Sequence, residues 1–408
     1  MTRDDARALD AQDPLARFRD AFQLPEGVIY LDGNSLGPPP TAALDRLRDV
    51  AAREWGRDLI TSWNVNGWMA APLRVGGKIA GLVGAKPHEV AVADSTSVNL
   101  FKLAAGALEL RPGRRVILSE TGNFPTDLYV LEGLARTAGA ELRAVAPDAV
   151  LDSLTDEVAV LVLTHVHYRT ARRWDMAAVT AAAHAVGALV LWDLSHSAGA
   201  VALDLNGCGA DLAVGCGYKY LNGGPGAPAF LFVAERHLNG IRSPLSGWMG
   251  HAEPFAFEDG YRPSGDIRGQ LCGTPSVLGL AALEAGVDLQ AQADPAAIEA
   301  KGQSLCDLFI AEVERRCGRF GVELATPRAR TQRGLHVSFA HPDGYPIVQA
   351  LIARGVIGDF RAPDLMRFGF APLYLSHEAV WRAAEILEEV LATGAWERPE
   401  FRARAAVT

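Results

Sequence analysis

The sequence predicts an α/β protein built on a mostly parallel sheet covered by helices on both faces. Two observations carry that prediction. Short apolar runs recur through the middle of the chain, at 115–120, 157–164, 188–193, 211–215 and 229–233, and none alternates as a half-exposed strand would. Continuous apolar runs suit strands buried on both faces, as parallel strands are. Helical segments separate them, among them the Ala-rich stretch 176–186, which ends at Gly187. Strand and helix taking turns is the α/β pattern.

After Pro275 the character changes. Helical periodicity runs to about residue 289, resumes over 295–317, and gives way to strand-like runs at 336–340 and 365–370 with helices near 345–354 and 377–391. The predicted organisation is an N-terminal segment (1–60) packing on a small domain, a large domain (61–290), and a smaller C-terminal α/β domain (291–408). A chain of 408 residues, 49% hydrophobic and 21% charged, is long enough for two buried cores.

The formal net charge of −9 gives no reason to expect nucleic acid or an anionic membrane as a partner. The N-terminus, Met1-Thr-Arg-Asp-Asp-Ala-Arg7, mixes charges without an apolar core, so no secretory signal is expected, and no apolar run has the length of a membrane span. Five cysteines (Cys208, Cys216, Cys272, Cys306, Cys317) are scattered, with no CxxC pair. The expectation is a reduced cytoplasmic protein without a metal site.

The strongest chemical signal is Asp211-Leu-Ala-Val-Gly-Cys-Gly-Tyr-Lys219-Tyr-Leu-Asn-Gly-Gly-Pro-Gly226, a buried strand that ends at glycines and presents Tyr218 and Lys219. A lysine at a strand mouth is either an ordinary surface residue or, if desolvated, an amine nucleophilic toward an aldehyde. Upstream, the run 188–193 ends in Asp193-Leu-Ser-His196, where α/β folds place ligands. Asp193 suits a protonated pyridine nitrogen. His196 suits a ring neighbour or a structural hydrogen bond. A Ser-His-Asp hydrolase reading of Asp193, His196 and Ser197 lacks any G-x-S-x-G elbow.

Thr96 and Ser97, in Asp94-Ser-Thr-Ser-Val-Asn-Leu-Phe-Lys102, open a predicted helix and read as a phosphate cup or as an ordinary N-cap. Thr121-Gly-Asn-Phe-Pro-Thr-Asp127 follows a strand, so Phe124 reads as core or as a ring stacked on a cofactor. Arg367 stands in an apolar strand, where it needs either a substrate carboxylate or a structural aspartate.

Together these pieces resemble the kynureninases, of the fold type I (aspartate-aminotransferase-like) superfamily of pyridoxal 5′-phosphate (PLP) enzymes. The resemblance runs through Tyr30-Leu-Asp-Gly-Asn-Ser-Leu-Gly-Pro38, Asp94–Lys102, Asn123–Asp127 and Thr164-His-Val-His-Tyr-Arg-Thr170. It continues through Trp192-Asp-Leu-Ser-His-Ser-Ala-Gly-Ala200, Gly217–Gly226, Gly247-Trp-Met-Gly250 and Gly273-Thr-Pro275. It implies PLP on Lys219, Asp193 at the pyridine nitrogen with His196 beside it, Phe124 on the ring, and Pro125, Thr126, Asp127 and Thr164 around it. It further implies phosphate on Thr96, Ser97 and Tyr218, and a homodimer in which Trp248 and Thr274 reach the other subunit's site. Arg367 would take the substrate carboxylate, with Ser35, Trp63 and Thr274 also at the substrate.

The implied reaction is hydrolysis of L-kynurenine to anthranilate and L-alanine, a step of tryptophan degradation, with Lys219, Tyr218 and Asp193 as the catalytic set. Tyr218 reads either as the general acid–base or as a phosphate ligand alone. Trp63 sits where bacterial-type members carry tryptophan. His167 and Ala171 depart from the asparagine and glycine of the family pattern. A cysteine desulfurase of the same fold would need a reactive cysteine shortly before Arg367, and none follows Cys317. An aminotransferase would share the lysine, yet Trp63 and Gly273-Thr274 suit an aryl ketone better. A non-catalytic PLP-binding regulator would carry a DNA-binding appendage or lack part of the acid–base set, and neither is seen.

Overall fold

A computed structural model describes residues 1–404. Seven strands form the main sheet: β1 (Val90–Val92), β2 (Val116–Glu120), β3 (Glu141–Val145), β4 (Val158–Thr164), β5 (Leu189–Asp193), β6 (Leu212–Gly215) and β7 (Phe230–Val233). They lie in the order β1-β7-β6-β5-β4-β2-β3, and β7 alone runs against its neighbours. Strand β4 shows why its sequence is a continuous apolar run. It is buried along its whole length, with Leu161 and Leu163 entering one apolar cluster and Val160 and Val162 the cluster on the opposite face.

The strand order reverses at β2. The chain passes from β2 outward to β3, then returns to place β4, β5 and β6 on the other side. Connections leaving β2 and β4 therefore diverge, and a crevice opens outside their carboxyl ends.

A second sheet holds β8 (Glu323–Leu324), β9 (His336–Ala340), β10 (Asp359–Arg361) and β11 (Leu365–Gly369), antiparallel in the order β10-β11-β9-β8. Its side chains alternate with the pleat. Val337, Phe339, Met366 and Phe368 enter an apolar cluster with helices Pro295–Cys317 and His377–Ala392. His336, Ser338 and Arg367, on the other face, are also buried but polar.

The N-terminal segment divides its loyalties. Ala6, Leu15, Phe18, Phe22, Ile29 and Leu31 join the core of the second sheet, and Ile29–Tyr30 pairs in parallel with Val356–Ile357. Helix Thr41–Asp49, by contrast, packs on Val277–Gln290. Among the described residues no helix is long and apolar enough to cross a membrane.

Phe309 holds the smaller core together. It is 1% exposed, and its ring centroid lies 5.0 Å from Phe368, 5.2 Å from Phe370 and 6.0 Å from Phe339. Phe309→Ala should cost about 3–5 kcal/mol, read as a lower denaturant midpoint.

Candidate active site

Strands β4 and β5 end side by side at Thr164 and Asp193, which are partners in register. Strand β2 leads into helix Pro125–Ala138, whose first turn carries Asp127. The Thr164 hydroxyl is where these ends meet. It donates to Asn123 Oδ1 at 2.5 Å and lies 3.4 Å from Asp127 Oδ2 and 3.5 Å from Asp193 Oδ2. Asp193 is oriented through its other oxygen, which accepts from the Ser195 amide (2.8 Å) and hydroxyl (2.6 Å). Burial, and then the negative charge of Asp193, push the Asp127 carboxyl well above its ordinary range, against the opposing pull of Thr164 and Lys219.

Lys219 follows β6 and places its Nζ 2.9 Å from His196 Nε2. Burial, then the positive charge of Lys219, hold the imidazole of His196 neutral. Nε2 therefore accepts from Lys219 Nζ, and Nδ1 has no partner among the described residues. The Tyr218 ring lies 5.8 Å from Nζ. Burial first, then Cys216 and Asp193, raise the Tyr218 hydroxyl above its ordinary value, so it keeps its proton.

The loop carrying Lys219 is clamped by the N-terminal segment. The Gly37 amide donates to the Tyr218 carbonyl at 2.8 Å, and Asn222 Nδ2 donates to the Pro38 carbonyl at 3.1 Å. A Cβ at Gly37 would stand 2.2 Å from the Lys219 carbonyl oxygen, closer than any side chain allows.

Arg367 is 2% exposed and fully engaged on one edge. Its Nε donates to Asp359 Oδ1 at 2.8 Å and its Nη2 bonds Asp359 Oδ2, a bidentate pair; Nη2 also donates to Ser35 Oγ (2.8 Å) and Nη1 to the Tyr168 carbonyl (2.6 Å). The guanidinium thus has an internal aspartate, as a structural bridge would, at the same place where it closes on the large domain. Phe124 is 38% exposed and meets Tyr168 edge-on at 5.3 Å.

The other predicted residues stand apart, with no hydrogen bond or ring contact to the Lys219 group among the described residues. Thr96 and Ser97 open helix Thr96–Leu110, capped by Ser95. The preceding Asp94 is tied at 2.7 Å to the buried Lys102, which also donates to the Gln270 carbonyl. Trp63 packs edge-on against Trp68 (6.0 Å) and Trp248 (6.4 Å). Thr274 lines a cavity of about 260 Å³ with Asp94, Gly226 and Cys272. Pro125 and Thr126 are half-buried in the first turn after Phe124. Asp359, Asn123 and Tyr168 were not anticipated. Asp359 left one sequence signal, an acidic residue two positions before Arg361 and eight before Arg367.

Comparison with known proteins gives this geometry a lineage. The model of the kynureninase C-terminal domain matches residues 298–387. A kynureninase of Burkholderia mallei (strain SAVP1) is 53% identical over 414 residues, covering all of both chains, and one of Pseudomonas fluorescens is 52% identical over the same span. The chain belongs to the kynureninase family. Among solved structures, an apo cysteine desulfurase of Thermococcus onnurineus NA1 is 18% identical and superposes with a TM-score of 0.77, covering 93% of this chain and 98% of that one. A cysteine desulfurase of Escherichia coli gives 0.75 at 21% identity, covering 92% and 99%. These structural likenesses speak to the fold, which is that of the fold type I enzymes.

Against the kynureninase pattern, the two departures fit locally. His167 bridges two loops, with Nε2 2.8 Å from the Gly122 carbonyl and Nδ1 3.1 Å from Thr170 Oγ1. Ala171 is fully buried at φ 61°, a left-handed conformation that glycine adopts more readily.

Asp32 lies beside the Arg367 cluster, and its Oδ1 has no hydrogen-bond partner among the described residues. Burial, and then the charge of Asp359, push its carboxyl up to about 7, while Arg367, Ser35 and Arg361 oppose. The native state therefore keeps a proton that the unfolded chain releases near its ordinary value of 3.8, and stability from this group falls as pH rises from that value to about 7. Asp32→Asn should match the parent at about pH 4 and exceed its urea midpoint increasingly up to about pH 8. A constant offset at all pH values would remove Asp32 as the titrating group.

Proposed function

We propose that the protein hydrolyses L-kynurenine to anthranilate and L-alanine, using PLP held at Lys219. The observation that carries this reading is the buried Asp127–Thr164–Asp193 group beside Lys219, in a chain of the kynureninase family. The cofactor fits these residues. Two carboxyl groups withheld from water and short of positive charge suit a protonated pyridine nitrogen, and Lys219 offers the amine for the aldehyde. The helix N-terminus at Thr96 and Ser97, with the Tyr218 hydroxyl, would take the phosphate. Phe124, Pro125, Thr126 and His196 would border the ring.

Bound, the cofactor supplies an electron sink for charge developing on the substrate's carbons. Arg367 and Ser35 hold the α-carboxylate. Lys219 moves a proton at the α-carbon, its amine oriented by neutral His196. Water adds to the aryl ketone carbon and the Cβ–Cγ bond breaks. Tyr218, kept protonated by its surroundings, gives its proton to the carbonyl oxygen as water adds and regains one from that water. As the Cβ–Cγ bond breaks it protonates the β-carbon and takes up the proton the hydrate hydroxyl releases. Trp63 borders the aryl group. On the same reading the chain divides into an N-terminal segment (1–60), a cofactor-holding domain (61–290) and a C-terminal domain (291–408), with the site where they meet.

The desulfurase chemistry of the structural neighbours is disfavoured by the cysteines. Cys306 and Cys317 are buried and their thiols are pushed up to about 12, chiefly by burial, the reverse of what a reactive thiolate needs.

Purified protein with PLP should release anthranilate from kynurenine, seen by its fluorescence, and Lys219→Ala should reduce the rate below detection. Borohydride should fix the cofactor on Lys219 in peptide maps. Cofactor fixed on Lys219 without anthranilate release would sink the substrate assignment alone.

The same proposal includes a homodimer with shared sites. Trp55 (61% exposed), Ile60 (76%), Phe255 (66%) and Phe257 (81%) lie on segments beside the Trp63–Trp248 contact, and apolar groups left open to this extent mark an association surface. A second copy covering them would bring Trp248 and Thr274 toward its phosphate. Co-expressing Lys219→Ala with Trp248→Ala should then restore part of the activity that each lacks alone, because one site of the heterodimer carries neither lesion. No recovery in a verified heterodimer would place Trp248 in its own subunit's site.

A further inference from the structure

The polar face of the second sheet turns toward the Lys219 crevice, and nearly every group on it is accounted for. Arg367 binds Asp359, Ser35 and the Tyr168 carbonyl, and the Ser338 hydroxyl donates to the Arg169 carbonyl. Arg361 lacks a partner at Nε but donates through Nη2 to Asp359, whereas His336 is left without any hydrogen bond. It is fully buried, and neither ring nitrogen has a hydrogen-bond partner among the described residues.

Its position is specific. The His336 ring lies 5.3 Å from that of His196, which holds Lys219 Nζ. Its register partner is Gly369, where a Cβ would stand 1.9 Å from Asn34 Oδ1. The missing side chain at Gly369 makes room for the Asn34 carboxamide, which is also fully buried and has no hydrogen-bond partner at either end among the described residues. Burial first, then the charge of Arg367, keep His336 neutral, with Asp359 opposing and Lys219 adding a smaller push. The ring thus offers one N–H donor between the lysine and the arginine.

Arg367 has given four of its five N–H groups to the protein, two to Asp359, one to Ser35 and one to Tyr168. One N–H cannot satisfy the four lone-pair sites of a second carboxylate. We propose that His336 is a specificity-determining residue that donates its ring N–H to the α-carboxylate of the amino-acid substrate, completing the subsite at Arg367. The inference rests on the reading of this crevice as an α-amino-acid site.

A buried imidazole without partners opposes folding, so replacing it separates the roles. In the PLP-loaded protein His336→Leu should raise the KM for kynurenine about tenfold or more, the loss of one charge-assisted hydrogen bond, while kcat changes little. Its melting temperature should equal or exceed the parent's. The upward shift that L-alanine gives the parent should vanish, and L-alaninamide, without a carboxylate, should shift neither protein. His336→Gln, which restores an N–H donor, should recover part of the KM and of the L-alanine shift. It also serves as the test if the leucine variant does not fold. Unchanged KM and an unchanged L-alanine shift in whichever variant folds would make His336 structural and overturn the proposal. If the parent releases no anthranilate, the kynurenine reading fails, and the L-alanine shifts still judge His336.

Discussion

Two carboxyl groups share one hydroxyl at the end of the main sheet, and the charge balance they impose organises the rest of the site. Asp127, close to the Asp193 carboxyl and cut off from water, is held well above its ordinary range; loss of water and the negative charge nearby act in the same direction. Lys219 relieves the strain only in part, since its Nζ is turned to His196. The fold therefore keeps a standing demand for positive charge at the carboxyl end of β4 and β5. A pyridinium would meet that demand, and the sheet supplies the rigidity that would hold both aspartates in place. The register pairing of Thr164 with Asp193 makes the spacing a property of the backbone rather than of flexible side chains.

The second sheet answers with the opposite sign. Arg367 and Arg361 converge on Asp359, and although burial works against ionisation there, the two guanidinium groups hold its carboxyl below the ordinary range. The two guanidinium groups outnumber the one carboxylate, and Asp359 offsets part of their charge, which lowers the cost of burying them. Its link to the large domain passes through the Tyr168 carbonyl, and Tyr168 in turn meets Phe124 edge-on. A substrate carboxylate at Arg367 and a ring beside Phe124 would thus share one loop, 165–170, as their common wall.

Much of this was legible in the sequence, for identifiable reasons. Buried parallel strands need apolar residues on both faces, so β2, β4, β5, β6 and β7 announced themselves as continuous runs. Lys219 and Asp193 stood out because polar residues at the ends of such runs are the points where a sheet meets its ligand. Strand β3 did not stand out, because as an edge strand it is partly open to water and reads as an ordinary polar stretch. Strand β1 is three residues long, too short for any periodicity. Helix Pro125–Ala138 was masked by the signal of its own first turn. The partners of Arg367 could not be read at all. That an aspartate eight residues away, a serine from the N-terminal segment and a carbonyl from the large domain would all meet one guanidinium depends on how the two sheets close. His336 was likewise read only as one residue of a strand, since nothing in the sequence distinguishes a satisfied histidine from an unsatisfied one.

The close passage of Gly37 over the Lys219 carbonyl has a consequence for how the molecule behaves as a whole. The crevice draws on residues 34–37, 123–127, 164, 193–196, 218–219, 336 and 367, so nearly the full length of the chain must be in place before it exists. Contacts of such sequence separation form late and slowly. A small molecule seated in the crevice thus binds only the completed fold, and its free energy adds to the stability of both sheets and the N-terminal segment together. Ligand and polypeptide would then act as one cooperative unit that takes in Phe18 and Leu15 of the smaller core.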